Sequence, residues 1–297
     1  MFGQPRRWLV PALLLGQMLV SPFAQVQAAE RHLFWKVGAG SGTAWLLGSI
    51  HFGTEDMYPL PADVERAFEN ADALVVEANI LDAETGQAVE AVATDGMYTG
   101  DDTLKGNLAP ETWRRVEEAV ARYGFPVEVF QKQKPWLVAV TLSTLELNRQ
   151  GLTEDYGIDR HFLSRIGDKR LIELESVAQQ LALFQNLSDR EQEEFLEATL
   201  RDLSDEGRHF REIIDAWQQG DAEVIDNLMN DSFRSVTNDE ELYARLLTDR
   251  NAAMARKIEA LVEEGGRYFV VVGAAHMVGD EGIVARLERN GYEVTRQ

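Results

Sequence analysis

Apolar residues gather in short runs near the two ends of this chain and recur at helical spacing between them. Residues 32–37 and 43–50 alternate or run apolar around Gly38-Ala39-Gly40-Ser41-Gly42, which predicts a β-hairpin. Pro61 opens a helix through Asn70, its backbone angle suiting a first helical turn. Ala73-Leu74-Val75-Val76-Glu77 reads as a short buried strand ending in a carboxylate. From about residue 81 to 165 the pattern is mainly helical, with turns near Gly100, Gly106, Gly124 and Gly151. Arg170 to Leu174 is another short strand. Residues 176–263 are almost wholly helical, with breaks near Asp205-Glu206-Gly207 and Gly220-Asp221. Arg267 to Val272 is the clearest buried strand. A helix over 281–290, Gly291 as its C-cap and a last strand from Tyr292 to Thr295 follow. The expectation is an α/β fold: a mixed sheet from the N- and C-terminal thirds, with a large helical insertion. No Pro- or Ser-rich linker divides residues 29–297, so they are expected to form a single domain.

The first residues follow a different logic. Arg6 and Arg7 precede an apolar stretch from Trp8 to Val20, Ser21-Pro22 breaks it, and Val26-Gln27-Ala28 offers small residues to a signal peptidase. Residues 1–28 thus read as a secretory signal peptide cleaved after Ala28, the alternative being an uncleaved anchor helix. The apolar run is short for a bilayer span of ~20 residues. No cysteine is present, which excludes a lipoprotein, disulfides and thiolate chemistry. Export without disulfides suits a bacterial periplasm. The formal charge of −21 disfavours nucleic acid and anionic lipid as partners. Much of the acidity lies on predicted helices, Glu191 to Glu197 and Asp239 to Glu241, where a solvated face explains it.

One short pattern occurs twice. An apolar run ends in Gly48-Ser49-Ile50-His51, and another in Gly273-Ala274-Ala275-His276; Gly53 and Gly279 follow. Ligands of open sheets gather beyond the carboxyl ends of parallel strands. A glycine there permits a sharp turn or a close approach, and the histidine then projects at the sheet edge. Neutral histidine is a common metal ligand. Glu77 ends its own strand in the same way. Two histidines and one carboxylate make a facial set that leaves positions open for water and substrate. Taken singly, a histidine after a strand is more often an ordinary loop residue than a ligand, and Glu77 is no more than a strand-end carboxylate; the duplication of the motif is what favours a shared site.

In order and spacing, several segments together resemble the TraB/GumN (TraB/PrgY/GumN) family, relatives of the Tiki membrane-anchored metalloproteases. They are Trp45-Leu-Leu-Gly-Ser-Ile-His51-Phe-Gly, Val75-Val-Glu77, Gly157-Ile-Asp159, Leu174-Glu175-Ser-Val-Ala-Gln-Gln180, Asp249-Arg250-Asn251 and Val271-Val-Gly-Ala-Ala-His276-Met-Val-Gly279. The resemblance spans about residues 32 to 296. It implies a divalent metal in a hydrolase site and a fold like that of erythromycin esterase and the haem-binding ChaN proteins. Ser176 stands where the family more often has threonine, and keeps the hydroxyl.

On this basis His51, Glu77 and His276 are the expected ligands of a divalent metal (Mn²⁺, Co²⁺ or Zn²⁺). Glu175, between a strand and a helix, is a candidate general base or further ligand, or a carboxylate favouring the helix N-terminus. Arg250 and Asn251 are candidates to stabilise an oxyanion; a structural salt bridge is the plainer role for the arginine. Tyr156, Asp159 and Gln180 are candidate substrate contacts, although Asp159 could instead cap the helix beginning near Gly157. His32, His161 and His209 receive no catalytic role, His209 being expected at the surface. Trp113, Trp136 and Trp217 read as core. The expected function is a periplasmic metal-dependent hydrolase of peptide or protein substrates, with no membrane anchor after cleavage. The alternative is a non-catalytic protein that sequesters a peptide signal or haem.

Overall fold

Val270, Val271 and Val272 are all buried, although they point alternately to opposite faces of the sheet. That is the signature of a central parallel strand covered on both sides. The computed structural model describes residues 32–40, 42–83, 92, 94–205, 207–236 and 240–297. The expected signal peptide, its expected cleavage point and the alternative anchor helix lie outside the described residues. So do Ser41, Glu206, Asp239 and part of the helical stretch expected after residue 81. No helix among the described residues is long and apolar enough to cross a membrane.

The chain is α/β, with a mixed six-stranded sheet. Its strands are β1 (Phe34–Ala39), β2 (Gly42–Ser49), β3 (Ala73–Val76), β4 (Arg170–Glu173), β5 (Gly266–Gly273) and β6 (Glu293–Arg296). They lie in the order β4-β3-β5-β2-β1-β6. β4, β3, β5 and β2 are mutually parallel, while β1 runs antiparallel to both β2 and β6. The expected hairpin is present, its pairing running from Phe34 and Leu47 to Ala39 and Gly42. β4 comes from the middle of the chain, so the sheet is not assembled from the terminal thirds alone.

Alternate residues feed two cores. Leu46, Val75, Val270 and Val272 pack with Met254, Ile258 and Val262 of the helix Asp249–Glu264. Leu47, Leu74, Phe269 and Val271 pack with Val64 and Phe68 of the helix Ala62–Asn70 and Phe162 of the helix Ile158–Ser164. The helical block has its own core, including Trp113, Val116, Leu142, Leu196 and Leu203. Its helices are more finely divided than the periodicity predicts. Ser188 starts the helix Asp189–Ser204 with a reciprocal capping box to Glu191, so the chain breaks at residues 186–188 as well. Ser176 does the same with Gln179 at the head of the helix Val177–Gln185, which is the local use of the retained hydroxyl.

Candidate active site at the carboxyl edge of the sheet

Because β4, β3, β5 and β2 are parallel, their carboxyl ends share one edge. Register sets the level: Ser49 of β2 pairs with Gly273 of β5, Val76 of β3 with Val271 of β5, and Glu173 of β4 with Val76. His51, His276, Glu77 and Glu175 therefore leave the sheet together, within a few residues of the last paired positions. Backbone bonds continue the alignment past the strands, from Glu77 N to Val271 O (3.1 Å) and from Glu175 N to Glu77 O (2.7 Å).

His51 sits on the loop after β2. Two glycines let a second segment lie across it. Gly53 pairs with Thr153, and a Cβ on Gly53 would come within 2.3 Å of the Tyr156 carbonyl oxygen. A Cβ on Gly157 would come within 2.3 Å of the His51 carbonyl oxygen. Ile158 N then donates to Ile50 O at 3.0 Å. This crossing brings Asp159 under the imidazole. Its Oδ2 is 2.9 Å from His51 Nδ1, and its Oδ1 accepts from Ser49 Oγ at 2.9 Å. Asp159 is buried and caps no helix; the helix after Gly157 has no side-chain cap. The His51 side chain keeps 54 % of its surface exposed. The buried Asp159 carboxylate beside it raises the imidazole to about 9.

His276 lies in the single helical turn Ala274–Met277 and is buried. Its Nδ1 is 2.6 Å from Asn251 Oδ1, and Asn251 Nδ2 donates to Glu281 O at 2.9 Å. The amide orientation assigned by that second bond makes Oδ1 the acceptor, so Nδ1 carries hydrogen and Nε2 keeps its lone pair. Nε2 lies 3.7 Å from Glu77 Oε1. Burial pushes His276 below its ordinary value, so it is neutral near pH 7.

Glu77 is the hub. Oε1 accepts from Arg250 Nη2 at 2.6 Å and from Gln180 Nε2 at 2.8 Å, while Oε2 accepts from the Gly273 amide at 3.1 Å. Burial alone would raise this carboxyl; His276, Arg250, His51 and the Gly273 amide outweigh it and hold Glu77 down at about 2. Arg250 also grips Glu175, through Nε at 3.0 and 3.1 Å and through Nη2 at 2.6 Å, and Nη1 reaches Leu246 O at 3.2 Å. A guanidinium has five N–H donors; these bonds leave Arg250 one. Arg250 follows a π-helical turn, Ala244–Thr248, a feature often found at functional sites.

The sequence candidates thus divide. His51, Glu77, His276, Glu175, Gln180 and Arg250 meet at one edge. Asn251 and Asp159 are beneath it, each spent on holding an imidazole. Tyr156 lines the crossing loop, where its carbonyl accepts from Tyr58 Oη at 2.8 Å. His161 stacks on Tyr58, with centroids 4.5 Å apart. His209 is not a plain surface residue: it is partly buried, with Nε2 2.6 Å from Ser232 Oγ. Trp113 and Trp136 are core, but Trp217 is only half-buried and donates to Gly48 O at 2.7 Å. Ser49 and Trp217 are the supporting residues the sequence reading missed. The only signal for Ser49 is its place inside the Gly-x-x-His unit; Trp217 carries none.

In donor type this set suits a divalent cation, and His276 already holds the tautomer with a free Nε2. Ligating histidines characteristically give their second ring nitrogen to a carboxylate or carbonyl, as both do here. As they stand, no three His, Asp or Glu side chains among the described residues are gathered closely enough to grip one ion. The three side chains nevertheless follow the neighbouring strands β2, β5 and β3 at one edge.

The pattern of the TraB/PrgY/gumN family matches residues 33–296. The chain is similar to the uncharacterized protein YbaP of Shigella flexneri, 29% identical over 243 residues, covering 81% of this chain and 86% of that protein. It is equally similar to YbaP of Escherichia coli K12, 29% identical over 237 residues, covering 79% and 84%. An uncharacterized protein of Treponema pallidum is 20% identical over 265 residues, covering 86% and 79%. No solved structure matches the chain.

Proposed function

The chain belongs to the TraB/PrgY/gumN family, and from that premise we propose that it is a metal-dependent hydrolase of peptide bonds, working in the periplasm after removal of residues 1–28. We also assign it the erythromycin esterase/ChaN-like variant of the α/β fold. The observation that carries the functional reading is the pair of imidazoles at one sheet edge, each anchored through Nδ1 and each with Nε2 turned away from its anchor, with Glu77 beside them.

His51, Glu77 and His276 would hold the ion, which is Mn²⁺, Co²⁺ or Zn²⁺. Such an ion supplies a Lewis acid that brings the pKa of water toward ~7. Asn251 holds His276 in the tautomer with a free Nε2. Asp159 does the same for His51 once the imidazole gives up its proton. Glu175 is the proton acceptor of this scheme; Arg250 fixes it next to Glu77. Arg250 can offer a developing oxyanion its one remaining N–H. Asn251 lacks the freedom for that and is a positioning residue. Gln180, bonded to Glu77 and 3.5 Å from Glu175 Oε2, bridges the two carboxylates and borders the substrate.

The experiment is metal analysis of protein purified without a histidine tag, followed by peptide-library cleavage with and without chelator. The expected result is about one divalent ion per chain and turnover that chelator removes. Bound metal without turnover would favour a sequestering protein instead. A Soret band in place of divalent metal would turn the reading to haem.

A further inference from the structure

One cavity lies beside the candidate edge and is lined by none of the residues proposed to hold the ion or to act in catalysis. It measures about 340 Å³, within the ~300–1,000 Å³ typical of small-molecule sites. Its apolar wall is made by Leu33, Leu47, Met57, Leu60, Val64 and Trp217. Because β1 is antiparallel to β2, the start of β1 lies at the carboxyl end of β2, and Gly48 N donates to Leu33 O at 2.8 Å. The edge therefore reads, strand by strand, Glu175, Glu77, His276, His51 and then the cavity.

Resting on the hydrolase reading above, we propose that this cavity is the specificity subsite for an apolar side chain of the peptide substrate, of leucine, methionine or phenylalanine class. Neighbouring strands are ~4.8 Å apart, and an extended chain advances ~3.3–3.6 Å per residue. A peptide laid along the edge, with its reacting carbonyl between His276 and His51, reaches the cavity with a side chain one or two residues away.

The wall chemistry selects apolar groups. Trp217 has its single polar atom committed to Gly48 O, so it gives the cavity only ring surface. Met57 is an adaptable liner. Of the polar members, Asp56 and Gln218 are exposed and His32 is half-buried. A buried polar side chain would find no partner on the apolar wall and would carry the cost of an unmet hydrogen bond. The cavity also communicates with the chemistry through the chain itself. The segment from His51 to Leu60 carries the imidazole at one end and the wall residues Met57 and Leu60 at the other. The Trp217 bond holds the strand three residues before His51.

The test is a cleavage profile on a peptide library for the metal-supplied full chain and for Met57→Trp, which fills the cavity. The wild type is expected to prefer leucine, methionine or phenylalanine at one position beside the cleaved bond. Folded Met57→Trp is expected to lose that preference on the order of 10–200-fold in kcat/KM, relative to alanine at the same position. Cleavage with no apolar preference, or a preference that folded Met57→Trp retains, overturns the subsite. If the wild type cleaves nothing, or Met57→Trp does not fold, the decision passes to the wild-type protein alone. The Trp217 indole N–H resonance is then titrated with N-acetyl-leucinamide and N-acetyl-asparaginamide. A saturable shift with the first and none with the second upholds the apolar subsite; no shift with either, or equal shifts, overturns it. Absence of cleavage together with a leucinamide-specific shift would sink the hydrolase reading while leaving the subsite standing.

Discussion

The two Gly-x-x-His segments are near copies in sequence and opposites in setting. His51 stands on an open loop with 54 % of its side chain exposed, over a buried carboxylate. His276 is in a helical turn with 9 % of its side chain exposed, over a neutral amide. One imidazole is drawn toward the charged form and the other toward the neutral form. The motif delivers a histidine to the strand end; residues remote in sequence, Asp159 and Asn251, decide its protonation. On the hydrolase reading proposed above, such asymmetry would give the ion one arm that is buried and already deprotonated and another that is accessible.

The largest test of this contrast is removal of each ring. His51→Ala and His276→Ala are both expected to abolish hydrolysis and lower metal content, with circular dichroism unchanged. Full activity in either variant would remove the shared site. Next is the cation between the two carboxylates. Arg250→Met leaves Glu77 and Glu175 buried without their charge partner, a change that costs about 3–5 kcal/mol in comparable settings. Thermal melts of the metal-free protein should show it, and a loss under ~1 kcal/mol, the size of a surface ion pair, would mean that the pair does not hold the edge together.

The anchors come third. Asp159→Asn and Asn251→Ala should each weaken metal binding by ~10–100-fold in calorimetry. The two should differ in kind: Asp159→Asn also removes the charge that raises His51, whereas Asn251→Ala leaves His51 untouched. Equal effects on the His51 titration would break the distinction.

The smallest effect is the titration itself, read by imidazole NMR in metal-free protein. His51 should titrate near 9 and His276 below 6.5. For stability the signs are opposite. The His51 pair contributes fully below 6.5, the unfolded value, and its contribution is lost as pH rises from there through 9. Burial of neutral His276 contributes above 6.5 and is lost as pH falls below it.

Much of the frame was legible along the chain. Arg267 to Val272 reads as a buried strand because every residue from Tyr268 on is apolar, and β5 is that strand. The duplicated motif and Glu77 were readable because strand-end chemistry depends on a glycine, a short spacing and a titratable group, all local. The break at Ser188 is also written locally, as Ser188-x-x-Glu191, inside a long helical pattern that masks it. By contrast, nothing local signals that Trp217 binds the Gly48 carbonyl or that His209 meets Ser232. Those bonds join residues far apart on the chain, and no periodicity encodes them.

The sequence alone determined which segments are strands, which stretch is helical, and which residues stand at the strand ends, because these follow from alternation, helical period and turn chemistry within a few residues. Only the tertiary structure decided that β5 enters between β3 and β2, so that four parallel ends share an edge. It also decided that Asp159 and Asn251 support the two imidazoles and that Arg250 is divided between two glutamates. Strand order and ion pairing are settled by packing and by the low dielectric of a buried edge, which arise only when distant segments meet.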